Sequence, residues 1–384
     1  MKNKAEVVVI GGGVVGCAIS YELAKRGVKD IVLLERKYLT SGATGRCGAG
    51  VRQQWGTEMN LRLSIGSVRR FETLREELRY DKDIEFIQSG YFMPAYTEKQ
   101  VNQFKKNIEL QRKFGLKVDF LTPDEAKKVV PIVNLSGLLG ATFHDKDGHC
   151  NPFHVTYAYA EAAKRMGVEI NTFTEVLGIR TIFDKVEGVI TNKGKIDCNI
   201  IVNAAGGWSQ VIGQMAGVKI PTYSERHQIL VTEPIEPLFK PMVMSFYHNF
   251  YTQQEPNGSI LMGFGDPTEP KDFNQGHTFK FLINVTKVVT DVLPPLKKAR
   301  LLRQWSGLYN ISPDKTPIIS EAPDLKGFYM ACGFSGHGFM IAPMTATLIA
   351  QMICGETLSI PEVKSKLDLG RFDRGELFTE PSVV

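Results

Sequence analysis

The stretch VVVIGGGVVGCAIS, Val7 to Ser20, comes after a short start containing Lys2 and Lys4 and admits two incompatible readings. A positive tip, an apolar run and a small residue before Cys17 loosely resemble a secretion or lipoprotein signal. The same letters hold Gly11-x-Gly13-x-x-Gly16, the turn that cradles a dinucleotide pyrophosphate. The flanking residues decide between them. Glu6 stands in the charged tip, three consecutive glycines interrupt the apolar run, and YELAKRG continues as an amphipathic helix ending at Gly27, so no cleavage region fits. DIVLLER then reads as a second buried strand closing on Glu35, nineteen residues after Gly16 and near the roughly 20 expected of a ribose-binding acid.

Each residue has a physical role in this strand, turn, helix, strand, acid order. Gly11 permits the tight turn, Gly13 lets backbone approach the pyrophosphate, and Gly16 lets the helix pack closely on the strand. The helix N-terminus offers free N–H groups and partial positive charge to phosphates.

At 384 residues the chain exceeds a typical single core, so two domains are expected. With 43% hydrophobic and 23% charged residues and no low-complexity tract, it reads as globular rather than disordered. No apolar run reaches the roughly 18 residues of a membrane span, which predicts a soluble protein. The net charge of +5 is spread without a dense basic block, against nucleic-acid binding; Arg69-Arg70 and Lys297-Lys298 read as solvated helix faces. Six scattered cysteines, without a C-x-x-C pair or zinc spacing, read as reduced thiols of a cytoplasmic protein.

Two further glycine-rich strand ends repeat the opening logic. GVEI and TEVLGIR give short strands, and IIVNAAGGWS a buried strand running into Ala204-Ala205-Gly206-Gly207. GFYMACGFSGHGFMIAP gives a strand, a run with Gly333, Gly336 and Gly338, then the helix PMTATLIAQMIC. Between them, EFIQSGYFM alternates, EKQVNQFKKNIELQRKFG reads as a helix, and TPDE as a capping-box start. Residues from about Ile220 to Glu321 are strand-rich, with RHQILVTE, GSILMGFG and RLLRQWSGLYN. The expected architecture is α/β: a Rossmann-like dinucleotide domain of residues 1–85, 150–217 and 322–384, with residues 86–149 and 218–321 building an inserted α+β domain on a mostly antiparallel sheet.

These motifs together resemble the FAD-dependent amine oxidoreductases of the D-amino-acid oxidase, glycine oxidase and sarcosine oxidase family. The resemblance is carried by VVVIGGGVVGCAISYELAKRG, Glu35, SGATGRCGAGVRQ, TEVLGI, VNAAGGW and GFSGHGFM, across nearly the whole chain. SGATGRCGAGVRQQW, RHQILVTEPI and GFSGHGFMIAP are most similar to beta subunits of heterotetrameric sarcosine oxidases and dye-linked L-proline dehydrogenases.

The resemblance implies that FAD is held by Gly11, Gly13, Val14, Val15 and Gly16, by Glu35 and Arg36, and by Val176, whose backbone would meet adenine. It places Ser41, Gly42, Ala43, Thr44, Arg46, Cys47, Gly48 and Val51 along the pyrophosphate and isoalloxazine. Ala204, Ala205, Gly206, Trp208 and Gly307 would complete the cofactor wall, with Gly333, Ser335, Gly336, His337, Gly338, Phe339 and Met340 beside the flavin's pyrimidine edge. A helix beginning just after His337 and Gly338 would direct partial positive charge at flavin N1 and the C2 carbonyl.

Three departures from the resemblance matter. Monomeric sarcosine oxidases bond FAD through a cysteine before the tyrosine of SGLYN; here stands Leu308, so FAD is expected without a covalent bond. Their GFSGHGFK lysine is Met340. The heterotetrameric oxidases attach a second flavin, FMN, through a histidine near CNPFH, where Pro152 stands with His154 close by; FMN at a subunit interface near Arg46 and Cys47 is the corresponding expectation.

Amine oxidation by flavin needs few protein groups, since the flavin accepts hydride at N5. Arg52 matches a carboxylate-binding arginine of the sarcosine oxidases, with a surface or phosphate-binding arginine as the alternative. His227, His248 and Tyr251, read on strands of the second domain, are candidates for the opposite wall; a histidine near the amine can accept its proton, whereas a structural histidine and aromatic packing are the plain alternatives. His144, His149 and His154 have spacings that suit no standard metal site; the first two read as loop, with Asn151 and Pro152 capping a helix. The expected function is flavin-dependent oxidation of a small amino acid of the proline, sarcosine or glycine type, as the beta component of an assembly with an alpha subunit. A self-sufficient oxidase using O₂, or an electron-transfer subunit inactive alone, stands beside it.

Overall fold

The computed structural model describes residues 1–378 and 380. The opening stretch forms β1 (Val7–Ile10), α1 (Val14–Lys25) and β2 (Ile31–Leu34). Every residue of both strands is buried, as a strand covered on both faces demands. The alternation of the pleat sorts them: Val7, Val9, Ile31 and Leu33 join the core under α1, whereas Val8, Ile10, Val32 and Leu34 join the core on the other face.

Around β1 lies a nine-stranded sheet. Its centre is parallel, with Leu325–Cys332, Ile200–Asn203, β1, β2 and Glu169–Asn171 side by side. The hairpin strands Val176–Ile182, Lys185–Thr191 and Gly194–Asp197 flank it, antiparallel to one another. Strand Ile318–Ala322 already belongs to this sheet, so the chain returns to it slightly before residue 322. Helices Pro152–Arg165 and Gly338–Ile353 pack beside α1. The last of these starts five residues ahead of the expected Pro343, which is carried inside it.

The second sheet has eight strands in the order Leu301–Ile311, Tyr223–Thr232, Ile260–Phe264, Phe250–Gln254, Met242–Ser245, Tyr91–Ala95, Gly140–His144 and Asp119–Leu121. All neighbours are antiparallel except Met242–Ser245 beside Tyr91–Ala95. Helix Phe279–Val292, which the sequence reading missed, covers one face through Phe281, Val285, Val289 and Val292. The strand-rich texture around it hides a clear helical stripe at i, i+4, i+8 and i+11.

Local signals hold where the chemistry is local. Thr122 and Glu125 close a reciprocal capping box, and the Asn151 side chain accepts from the Phe153 and His154 backbones with Pro152 in the first turn. Two readings are corrected. His144 and His149 lie on strands, because the ladders Gly140–His144 and Gly148–His149 take them up. Arg70 is not solvated: it turns inward to ion pairs with Glu22 and, at 2.7 Å, Glu77. Among the described residues no helix is long and apolar enough to cross a membrane, and all six cysteines are free.

Candidate functional site

The glycine turn between β1 and α1 opens one end of a cleft of about 230 Å³ running between the two sheets. Close packing accounts for two of its glycines. Gly11 has φ +119, and a Cβ on Gly16 would lie 1.9 Å from the Gly11 carbonyl oxygen. Gly13 has ordinary backbone angles and faces the cleft. Glu35, at the end of β2, accepts from the Gly12 and Lys37 backbones at 2.8 Å and from Ser41 at 3.1 Å, which ties the loop after β2 to the turn. Arg36 stacks on Trp208 with its guanidinium carbon 3.6 Å from the ring centroid. Val176 lines the same end.

The loop Ser41–Val51 is strapped to the second sheet. Arg46 donates to the Ser41 and Ser306 carbonyls at 3.1 and 2.8 Å, Trp305 donates to the Arg46 carbonyl at 3.1 Å, and Gln253 to the Gly48 carbonyl at 2.9 Å. Arg46 and Cys47 therefore line the inner cleft. Burial pushes the Cys47 thiol up to about 11.

Of the residues assigned to FAD, Gly11, Gly13, Val14, Val15, Glu35, Arg36, Ser41, Gly42, Ala43, Thr44, Arg46, Cys47, Val176, Ala204, Ala205, Gly206, Trp208, Gly307, Ser335, Gly336, Gly338 and Phe339 line this cleft. Leu308, where a thiol would stand for a covalent link, lines it too. Gly16 and Val51 lie behind its walls, and Gly333 serves the loop instead, donating its N–H to Asn310 at 2.7 Å. Gly48, His337 and Met340 line a second, smaller cavity.

Three features fit a flavin dinucleotide. Two helices, α1 and Gly338–Ile353, begin at the cleft, where their N-termini place partial positive charge. Gly13 leaves room where a side chain would intrude. His227 Nε2, Gln275 Nε2 and Asn310 Nδ2 are buried polar atoms on residues lining the cleft, without a hydrogen-bond partner in the protein. Buried polar nitrogens of this kind call for partners on a bound group.

The smaller cavity, about 70 Å³, shares Cys47, Tyr251, Tyr309, Ser335, Gly336 and Phe339 with the cleft. Arg52 lies in it, 2% exposed, with its guanidinium carbon 3.9 Å from the Trp55 ring centroid. Burial lowers the Arg52 pKa, opposed by Tyr91, Glu380 and Asp147, and an arginine stays charged throughout. Its turn is held from both sides. Asp147 accepts from the Gln53 backbone at 2.7 Å and the Gln54 side chain at 3.0 Å, and Trp55 donates to the Arg52 carbonyl at 3.0 Å. From the far end of the chain, Glu380 accepts from Gly56, Thr57 and Asn60 at 3.0, 2.6 and 3.0 Å, at the start of helix Glu58–Phe71.

His227 and Tyr251 come together on strands Tyr223–Thr232 and Phe250–Gln254. The His227 ring stacks on Tyr309 at 4.3 Å and faces Tyr251 at 5.6 Å. Burial depresses the His227 pKa to about 4, so the ring is neutral near pH 7. His248 does not join them, a correction to the sequence reading. It sits in a turn rather than on a strand, bonded to Ser245 at 3.0 Å and packed edge-on against Tyr96 and Tyr247, and it lines neither cavity.

The sequence reading missed Trp55, Tyr91, Gln275, Tyr309 and Asn310 as site residues. Trp55 carried a usable signal, an aromatic three residues beyond the carboxylate-binding candidate. Asn310 and Gln275 carried none, since their exposure to the cleft arises from the pairing of distant strands.

The family described as DAO, FAD dependent oxidoreductase, matches residues 6–352. The crystal structure of an L-proline dehydrogenase from P. horikoshii superposes with a TM-score of 0.93 at 39% identity, covering 98% of this chain and 100% of that one. The sarcosine oxidase subunit beta of Arthrobacter sp is 31% identical, over 99% of this chain and 94% of that protein. The subunit of the same name from Rhodobacter capsulatus is 28% identical, over 99% and 91%.

Proposed function

The chain belongs to the FAD-dependent oxidoreductase family, and from that premise we propose that it oxidises the C–N bond of a small amino acid of the proline, sarcosine or glycine type. One observation carries the reading. A buried arginine, Arg52, stands in a small cavity whose walls are shared with the dinucleotide cleft. Its planar, permanently charged fork suits bidentate recognition of a substrate carboxylate beside the reacting centre.

FAD, when bound, supplies the hydride acceptor. The residues of the chain do the rest. Arg52 holds the carboxylate through a planar fork, and the Trp55 ring beneath it fixes the plane of that fork. Tyr251, Tyr309 and Phe339 exclude water from the seam between cavity and cleft. Neutral His227, stacked on Tyr309, offers a nitrogen to the cleft without adding charge. The start of helix Gly338–Ile353 presents partial positive charge where negative charge develops.

The names of two relatives, both beta subunits of sarcosine oxidase, support a place in a multi-subunit enzyme. In this reading the chain is a cytoplasmic beta component that passes electrons to an alpha partner rather than mainly to O₂, and FMN would sit at the subunit interface near Arg46 and Cys47.

The deciding experiment is anaerobic titration of the FAD-loaded protein with proline, hydroxyproline, sarcosine and glycine. Bleaching of the flavin band by at least one is expected, and no bleaching by any would refute the reading. Co-expression with a partner encoded next to it tests the assembly: faster dye reduction and slow peroxide formation are expected, whereas full-rate O₂ reduction by the isolated chain would favour a self-sufficient oxidase.

A further inference from the structure

We infer that the His337 side chain is a substrate-contacting group, accepting the N–H of the substrate amine while Arg52 takes the carboxylate. The inference rests on the amino-acid reading above and reassigns a residue whose motif pointed to the cofactor.

The loop before His337 divides its residues between the two spaces. Ser335 and Gly336 line both, Gly338 lines only the cleft, and His337 lines only the small cavity. This split is built into the backbone. Gly333, Ser335 and Gly336 all have positive φ, at 70°, 49° and 95°, and Ser335 is not a glycine. A non-glycine residue held left-handed costs energy that the surroundings must offset, and such residues gather at functional sites. Here the Ser335 hydroxyl is tied down, donating to the Gly333 carbonyl at 3.1 Å and accepting from the Ser312 N–H at 3.3 Å. Gly336 lies so close to Tyr309 that a Cβ would come within 2.6 Å of its ring. The result drives the His337 ring inward, 2% exposed, onto Trp55 at 4.8 Å.

There the ring has no protein partner of good geometry. Both Nδ1 and Nε2 are buried without a hydrogen bond, with only a weak interaction with the Ser335 backbone. A buried imidazole left this way is costly unless a ligand completes it. Burial first, and the nearby Arg52 charge second, depress its pKa to about 3, so the ring is neutral and keeps one lone pair.

Apart from the Tyr91 hydroxyl, the other side-chain polar groups near His337 are engaged within the protein. Arg52 is a donor only. Trp55 Nε1 is committed to the Arg52 carbonyl, and the Tyr251 and Tyr309 hydroxyls engage each other. Trp55 thus carries a fixed cation and a neutral acceptor on one indole, within a space of about 70 Å³. A carboxylate and an N–H one carbon apart, as in a small α-amino acid, match that pair.

The test compares FAD-loaded wild type with His337→Phe, which keeps a ring against Trp55 and removes the acceptor, and with His337→Asn, which restores one. Two ligands are titrated by their effect on the flavin spectrum without air: the reducing amino acid, and tetrahydro-2-furoate, which has proline's ring and carboxylate without the N–H. His337→Phe should weaken the amino acid roughly tenfold, the worth of one buried hydrogen bond, and leave tetrahydro-2-furoate within twofold. His337→Asn should recover part of the loss, and FAD content should match wild type in both. Equal weakening of both ligands, unchanged affinity for the amino acid, or loss of FAD would each overturn the assignment. If His337→Phe does not fold, the same affinity ratio in His337→Ala decides. A wild type that no amino acid reduces or perturbs defeats the amino-acid reading itself, whereas a responsive wild type with an indifferent His337→Phe defeats only the role of His337.

Discussion

Two alanine substitutions three residues apart should fail in opposite ways. In Gly16→Ala the new Cβ would sit 1.9 Å from the Gly11 carbonyl oxygen, whereas ordinary C···O contact needs about 3.3 Å. The helix must therefore withdraw by roughly 1.4 Å from the turn. α1 cannot do so cheaply, because it is buried from Val14 to Ala24. Overpacking of this kind costs about 3 kcal/mol at the upper end of its usual range, so the apoprotein should melt on the order of 5 °C lower. Gly13→Ala is different. Its backbone at φ −81 and ψ 179 suits alanine, and the Cβ would meet only the end of the Thr44 side chain, at 3.0 Å. The apoprotein should melt within about a degree of wild type, since such surface-facing changes cost little. The methyl group instead occupies space the pyrophosphate needs, weakening FAD by about 1–3 kcal/mol, or roughly ten- to a hundredfold in Kd. Calorimetry of the apoprotein and quenching of FAD fluorescence on binding separate the two effects. A Gly13→Ala protein that binds FAD like wild type, or one as unstable as Gly16→Ala, would refute the placement of the pyrophosphate at this turn.

Arg52→Met should raise the apparent KM for the amino acid by about tenfold or more while FAD content stays near normal, because a charge-assisted bidentate pair is lost; an unchanged KM would place the carboxylate elsewhere. Acid precipitation should release the flavin into a yellow supernatant, since Leu308 offers no thiol to the cleft, and flavin retained in the pellet would contradict that. Stability should fall as pH drops from about 6.5 towards 4. His227 is depressed to about 4 by burial, so below its unfolded pKa the unfolded chain binds the proton and the folded chain resists it. Each such histidine contributes up to about 3 kcal/mol that is present near neutrality and lost in acid. The melting temperature of His227→Gln should therefore depend less on pH across that window than that of wild type, and parallel curves would exclude His227 as a source.

What could be read from the letters was what depends on neighbours along the chain. The βαβ unit at Val7–Leu34 rests on a buried run, three spaced glycines and a helix of known length, all within about thirty residues. The capping box at Thr122 and the Asn151 cap span three residues or fewer. The three glycine-rich strand ends were legible for the same reason. Helix Phe279–Val292 was legible in principle through its stripe, and was lost to the strand-rich texture beside it.

The site divides along the same line. Many of the residues that border the cleft could be told from motifs, though not Gln275 or Asn310, and which face each side chain takes was set by contacts between distant segments. His227 and His248 look alike in sequence, yet one stacks on Tyr309 across paired strands and the other rests in a turn against Tyr96. Arg46 and Cys47 face inward because Ser306 and Trp305, some 260 residues away, bond that loop to the second sheet. Glu380 reaches the turn after Arg52 from more than 320 residues further along. Turn and helix chemistry act through neighbouring backbone groups, so the sequence determined the cofactor scaffold by itself. The substrate wall joins side chains whose separation is closed only when both sheets have formed, so the tertiary structure alone decided it.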